Sequence, residues 1–161
     1  MVINFQIQGF NMLELKLKAT QDMLRSLKPY WQQVGMYIQR QTIKERFGKE
    51  QSPSGKKWKP LSEKTKKIRR KKHKKGNMKI LQDSGELRRS IQYEAGNHYV
   101  KVGSVLKYAR IQQSGGTIHF KKRRGSVNIP PRPFLGITQS ELQHIKSMFR
   151  TYVKRHITGG A

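Results

Sequence analysis

The sequence contains no cysteine, which excludes disulfide staples and thiolate metal sites and fits a reducing cytoplasm. Acidic side chains are also scarce. Only 9 Asp and Glu stand against 35 Lys and Arg, for a formal net charge of +26. No apolar run approaches the roughly 20 residues that cross a bilayer, and the N-terminus lacks the charged start and apolar core of a signal peptide. The expectation is a protein made and used in the cytoplasm, with no membrane partner.

The same scarcity limits the chemistry. His73, His98, His119, His144 and His156 have no mutual metal-ligand spacing, and His156 on an apolar helix face reads as a core-edge residue. Gly48 and Gly55 are too far apart for a phosphate loop, and Lys57 stands where its hydroxyl belongs. Ser54-x-x-Lys57 matches a nucleophile motif only by chance in a lysine-rich loop. Asp83 and Glu86 have the spacing of an N-cap and its reciprocal third residue, not of a catalytic pair. There is no acidic cluster for a metal-dependent nuclease and no nucleophile, base and orienter. The chain is expected to be no enzyme, with no catalytic residues, no cofactor, no metal and no small-molecule substrate.

The chain does provide 161 residues, enough for one domain with a core of its own, and a large excess of positive charge. Such a protein repels itself and attracts polyanions. Between Lys64 and Gln82 there is no acid, and after Glu94 the next is Glu141. Two basic blocks result, Lys56 to Lys79 and Lys121-Lys122-Arg123-Arg124. Candidate contacts to DNA or a partner are Lys71, Lys72, Lys74, Lys75, Lys121, Lys122, Arg123 and Arg124.

In chain order, alternation of Ile3, Phe5 and Ile7 with polar residues predicts a half-buried strand. Asn11 and Glu14 resemble a capping box opening a helix whose apolar positions are Leu13, Leu17, Leu24 and Leu27. Pro29 suits the first turn of a second helix, with Trp31, Val34, Ile38 and Phe47 as its buried stripe and Gly48 as its stop. Ser52-Pro53-Ser54-Gly55 is a turn, after which Trp58 and Leu61 pin a basic loop to the core. Ser62 caps a helix from Lys64 to Lys75 whose like charges predict fraying or disorder unless a polyanion neutralises them.

Ser90 to Ala95 and His98 to Gly103 read as a hairpin turning at Gly96-Asn97, with Ile91, Tyr93 and Ala95 facing the side of Val100 and Val102. Val105 to Ser114 follows, with Tyr108, Ala109 and Ile111 as its buried side. Ile118 to Phe120 and Val127 to Ile129 form a second hairpin tipped by Lys121 to Ser126, a device for reaching a polyanion or a neighbouring subunit. Thr138-Gln139-Ser140-Glu141 is the cleanest capping box. It opens a last helix carrying Leu142, Ile145, Phe149, Tyr152, Val153 and His156 on one face. The whole reads as one α+β domain over 1–161, a small mostly antiparallel sheet packed against N-terminal and C-terminal helices. A flexible basic insert spans about 62–79, and a basic β-arm about 118–129.

The stretch Ile129-Pro130-Pro131-Arg132-Pro133-Phe134-Leu135 organises the rest. Its prolines fix φ and remove donors, which makes a stiff ribbon that positions its flanks, with Arg132 locked between them. Together with Arg46-Phe47, Pro53 to Leu61, Ile80 to Arg88, Val102-Gly103 and Tyr108 to Gly115, in that order, this ribbon resembles the phage virion morphogenesis family of Mu-like tail-completion proteins. The match runs from about Arg46 to Ile137. Two departures are visible: Gln112 stands where the family often has histidine, and Pro131 where alanine is usual. The signature positions are Trp58, Pro60, Leu61, Gly85, Leu87, Tyr108, Gln113, Gly115, Pro130, Arg132, Pro133 and Phe134, as family signature or subunit contact.

The resemblance implies a tail-completion or tail-terminator subunit that completes the tail and helps join it to the head. It implies a ring, expected as a hexamer, around the DNA channel at the head–tail junction of the virion. Implied partners are other copies of itself, a neck or connector protein, the tail tube protein and DNA. Within that reading, Lys121 to Arg124 face the channel or an adjoining ring, and Arg132 bridges to a carboxylate that fixes a subunit contact. The alternative from another class is a monomeric, non-sequence-specific nucleic-acid-binding protein, which accounts for the charge but not for the ribbon.

Overall fold

A computed structural model of the protein describes residues 10–72, 78–120 and 124–157. The strand expected over Val2 to Gln8 lies outside them, as do Lys74, Lys75, Lys121, Lys122 and Arg123. Helix α1 spans Phe10–Arg25 and α2 Lys28–Gln41, with Pro29 in its first turn as anticipated. The helical path then continues as a π-helical turn, Thr42–Phe47. Next come α3 (Glu63–Lys72), α4 (Glu86–Arg89), the hairpin β1–β2 (Ile91–Ala95, Val100–Ser104) and α5 (Ala109–Ser114). The hairpin β3–β4 (Gly116–His119, Ser126–Ile129) and α6 (Gln139–Ile157) close the chain. The fold is α+β and the strand pairs are antiparallel, but the described strands form two separate two-stranded ribbons.

Helix α2 is the central support. One face lies on β1 and β2, and another meets α6. The approach to the hairpin is close because residue 35 is glycine: a Cβ there would stand 2.4 Å from the Tyr93 ring and 2.9 Å from Val100. Toward α6, Tyr30 is buried, packs edge-on to Phe149 at 5.2 Å and donates its hydroxyl to the Ile145 carbonyl at 3.1 Å. Tyr30, not the half-buried Trp31, anchors this second core, together with Val34 and Ile145.

The π-helical turn explains how α2 serves two cores. One extra residue per turn shifts the side-chain phase, and Thr42, Arg46 and Phe47 all end up buried. Gly48 does not stop the helix, as its φ is −66°; the left-handed residue is Glu50, at φ 53°. The turn at Ser52 to Gly55 forms as expected, with Gly55 N–H donating to the Ser52 carbonyl at 2.9 Å. Phe47 then joins Trp58, Ile80, Leu87, Ile91, Ala109 and Phe134 in the main core.

Several local expectations change. The first hairpin keeps its facing residues, with Tyr93 opposite Val102, but Ala95 pairs with Val100 and the chain turns one residue later, around Asn97 and His98. After Val105 the expected buried side holds only in part: α5 buries Ala109 and leaves Ile111 half-buried, and Tyr108, its N-cap, is exposed. On α1 the apolar stripe is not covered, since Leu17 is 63% exposed and Met23 is the buried residue. In α6, Leu142 and His156 lie outside the core face and Met148 joins it.

The lysine block is helical from Glu63 to Lys72, where like charges predicted fraying. Ser62 does cap it, its Oγ accepting from Thr65 N–H at 3.2 Å. Lys66 reaches Glu63 at 2.6 Å, and Arg69 is buried, donating to the Lys79 carbonyl at 2.8 Å and pairing with Asp83 at 3.4 Å. Asp83 is therefore an ion-pair partner and not the cap of α4, whose N-cap is Gly85.

The capping box at Thr138 forms in full. Thr138 Oγ1 accepts from Glu141 N–H at 3.1 Å, and Glu141 Oε2 accepts from Thr138 N–H at 2.8 Å. The same carboxylate also receives a two-pronged bond from Arg46, both at 2.6 Å. This buried pair joins the π-helical turn to α6 across 95 positions of sequence. Burial alone would raise the Glu141 pKa, but the bonds from Arg46 and Thr138 outweigh it and hold the carboxyl below its ordinary 4.5. A carboxylate depressed in the folded state stabilises fully above its unfolded pKa and loses that contribution as pH falls through the folded value. Replacing Glu141 with Gln leaves the Arg46 charge buried and should cost about 3–5 kcal/mol at neutral pH. Urea unfolding from pH 7 down through 4.5 should show wild-type stability falling while the variant's profile is flatter; a cost below about 1 kcal/mol would contradict this account of the pair.

Candidate functional site

The proline ribbon is held by side chains rather than by a sheet. Its prolines carry no N–H, so neighbouring elements satisfy the backbone groups that remain. Gln113 on α5 does most of this. Its Oε1 accepts from Phe134 N–H at 2.9 Å and Leu135 N–H at 3.0 Å, while its Nε2 donates to the Leu135 carbonyl at 2.9 Å. Trp58 Nε1 donates to the Pro133 carbonyl at 2.8 Å. Arg132 N–H donates to the Gln112 carbonyl at 2.8 Å.

Phe134, fully buried, is thereby placed 5.6 Å from Phe47, which also meets Trp58 edge-on at 5.6 Å. Residue 115 must be glycine on two counts. Its φ is +72°, and a Cβ would fall 2.8 Å from Pro131. The departure at Gln112 is harmless to the ribbon, since the contact there is made by its backbone.

Arg132 is buried, and its guanidinium serves its own chain. Nε donates to the Lys59 carbonyl at 3.0 Å and Nη2 to the Pro60 carbonyl at 3.2 Å. Desolvation, then the nearby Arg69 charge, lowers its pKa. Within the chain it is Arg46, not Arg132, that makes a buried two-pronged bridge to a carboxylate, Glu141.

Most of the signature residues meet at one place. Pro60, Leu61, Gly85, Leu87, Tyr108, Pro130 and Arg132 line a groove of about 850 Å³ between α3, α4 and the foot of β4. Tyr108 sits at its edge, its hydroxyl 3.5 Å from Glu86. Desolvation first, then the Glu86 charge, raises the Tyr108 pKa. Trp58, Gln113, Gly115, Pro133 and Phe134 lie behind this surface and hold its shape.

The basic candidates are elsewhere. Arg124 is exposed at the end of the β3–β4 arm and Lys71 on α3. Sequence reading missed a cationic trough formed by Arg40, Lys44 and Arg88 beside Ile43 and Gly48, with no carboxylate in its lining. These cations are dispersed over 49 positions and form no run, so only their i, i+4 placement on α2 and its extension hinted at a shared face. In the nucleophile-like pair, Ser54 Oγ bonds Ser52 Oγ and Lys57 Nζ donates to the Lys49 carbonyl. Among the described residues no group of three His, Asp or Glu can hold a metal, and no helix is long and apolar enough to cross a membrane.

Gln113→Leu keeps the size of the side chain but removes three bonds and leaves two ribbon N–H groups unpaired. At roughly 1 kcal/mol or more per buried group left unsatisfied, the loss should be about 2–4 kcal/mol. Chemical denaturation measures it; a loss within 0.5 kcal/mol, near the noise of such measurements, would mean the ribbon is held mainly by its prolines and by Phe134.

The description "phage virion morphogenesis family" belongs to a family model that matches residues 9–154. Among curated relatives, the chain is 29% identical over 111 residues to Mu-like prophage FluMu G protein 1 of Haemophilus influenzae, covering 69% of each chain. It is 38% identical over 74 residues to the putative capsid assembly protein G of Escherichia phage Mu, covering 46% of each. No solved structure matches. With the ordered motifs, the ribbon they build and a family match across nearly its whole length, the chain belongs to the phage virion morphogenesis family.

Proposed function

We propose that this virion-assembly protein completes or terminates the phage tail and helps join it to the head, working as a ring, expected as a hexamer, around the DNA channel. It is a structural subunit and not an enzyme. The observation that supports this reading best is the β3–β4 arm. Its strands pair with each other, Ile118 opposite Val127, yet Ile118, Phe120 and Val127 remain about 40% exposed. A lone two-stranded ribbon is marginal in water, and apolar side chains on a projecting arm are those of a surface completed by assembly. A neck or connector protein and the tail tube protein are the partners on either side of the ring, at the head–tail junction. The basic insert after Leu61, helical from Glu63 to Lys72, offers exposed Lys71 as a second contact for DNA or a partner.

Charge favours one other reading, a monomer that coats nucleic acid. Native mass measurement at low and moderate salt, with and without a short duplex, separates the two. A ring-sized species without DNA is expected; a monomer that only coats duplex, with affinity collapsing as salt rises, would overturn the ring.

For the channel lining, replacing Lys121, Lys122, Arg123 and Arg124 together with Ser is expected to weaken DNA binding and head joining. It should lower the slope of log K against log salt by up to about 3.6. Replacing Arg40, Lys44 and Arg88 with Ser tests whether the trough contributes. An unchanged slope and unchanged joining in the arm variant would remove the arm from the DNA-facing surface.

A further inference from the structure

We infer that the trough formed by Arg40, Lys44 and Arg88 is a binding site for the sugar–phosphate backbone of DNA. The inference deepens the reading above, in which DNA passes through the ring, by naming a surface that meets it.

The first argument is charge gathered at one hollow. Helix α2 and the π-helical turn supply Arg40 and Lys44, α4 brings Arg88 beside them, and all three are exposed. The hollow they line, of about 580 Å³, has no carboxylate in its lining. Ile43 and Arg88 also line an adjoining hollow, which adds the exposed Lys79 and Arg89. The continuous surface therefore sets Arg40, Lys44, Lys79, Arg88 and Arg89 against a single acid, Asp83, which already pairs with Arg69 at 3.4 Å. Glu45, next to Lys44 in sequence, is tied to Lys49 at 2.5 Å and lines a different hollow with Arg46 and Glu141. Among the described residues, none of Arg40, Lys44 and Arg88 pairs with a carboxylate. A polyanion is attracted to such a place without displacing an internal partner.

The second argument is Gly48, which lines the same trough. It continues the helix at φ −66°, a conformation open to any residue, and a Cβ there would meet nothing within 4 Å. Neither backbone geometry nor packing within the chain calls for glycine, and glycine in a helix is less stable than alanine. Its missing side chain leaves a low floor, the feature that lets a ligand approach the protein backbone closely. The unclaimed charge and the unclaimed space fall together.

The lining also selects the class of partner. The centres of protein interfaces are depleted of charge and gather aromatic and apolar anchors. Here the lining holds no aromatic residue, Ile43 is half-buried, and Met36 is the one exposed large apolar side chain. Surfaces that bind DNA are more polar and much more positive, and the planar forks of Arg40 and Arg88 suit phosphate oxygens. Backbone contacts of this kind position the duplex without reading its sequence.

The test sets changes of charge against a change of shape. Affinity of the full chain for a short labelled duplex is followed by fluorescence anisotropy across a range of salt. Replacing Arg40, Lys44 and Arg88 with Ser is expected to weaken binding roughly tenfold or more at low salt, and to lower the slope of log K against log salt by up to about 2.7. Removing three exposed cations from α6 instead, Lys146, Arg150 and Arg155, each to Ser, is expected to weaken it by less than about threefold. Gly48→Leu alters no charge, fills the floor, and is expected to weaken binding roughly three- to tenfold with the melting temperature unchanged or raised.

Equal losses from the trough and α6 variants, or unchanged binding in Gly48→Leu, would overturn the site in favour of a diffuse field. Polyglutamate is the comparison ligand: a trough variant that loses polyglutamate as strongly as duplex would assign the trough to an acidic protein and overturn DNA as its partner. Native mass keeps the two readings apart. A ring whose duplex affinity ignores both trough changes would overturn the trough and leave the ring standing. A monomer that loses duplex affinity through both would overturn the ring and leave the trough.

Discussion

One side-chain amide, that of Gln113, does for the ribbon what a neighbouring strand would do elsewhere. Backbone N–H and C=O groups taken from water need partners, and a segment with three prolines in four positions cannot find them in a ladder. By accepting from Phe134 and Leu135 and donating back to Leu135, Gln113 stands in for a short stretch of sheet. Phe134 can then be inserted fully into the core without leaving its own backbone unpaired. Trp58 and Arg132 finish the arrangement from the other side, tying the turn after the π-helical segment to the same ribbon. Three pieces of chain far apart in sequence are thus fixed relative to one another by hydrogen bonds to a segment that is itself stiff.

The few acids are distributed by the same economy. Glu141 is committed to Arg46 and to its cap, Asp83 to Arg69, Glu63 to Lys66, and Glu50 accepts from Ile80 N–H at 2.6 Å. Carboxylates used as internal ties do little to temper the outer field, so much of the surface remains strongly cationic. The repulsion this creates is tolerable for a folded monomer because the charges are mostly exposed and screened over about 8–10 Å at physiological salt. It weighs more heavily when copies approach each other.

What the sequence made legible was local. The capping box at Thr138, the Pro53 turn, the existence of the second hairpin and the anchoring role of Trp58 each depend on a few adjacent residues, and each stands in the structure. The rest depended on tertiary packing. Nothing in a window around Arg46 reveals that its partner is Glu141, or that the helix must slip into π geometry to bury Thr42, Arg46 and Phe47 together. Helical spacing on α1 correctly indicated a helix but not which of its sides would be covered. Tyr30 was hidden because Trp31 beside it is the larger aromatic, yet only Tyr30 reaches Phe149 and the Ile145 carbonyl. The signature residues could be put in order along the chain, but the groove they surround exists only after α3 and α4 have been brought against the foot of β4.

The arm and the ribbon are continuous, and this joins structure to assembly. Strand β4 ends at Ile129 and the next residue is Pro130, with Pro131 packed against Gly115 at the start of β3's own approach. There is no glycine between the arm's foot and Phe134, and φ at three of the four intervening positions is fixed by a proline ring. The arm's direction is therefore set by how the ribbon is seated, and the ribbon is seated by Gln113, Trp58 and Arg132. A contact that captures the arm would pull on a stiff segment rooted in the core rather than on a flexible tether, so less conformational freedom is lost on docking than with a loose tail. The prolines hold an otherwise marginal two-stranded ribbon at a fixed angle to the body.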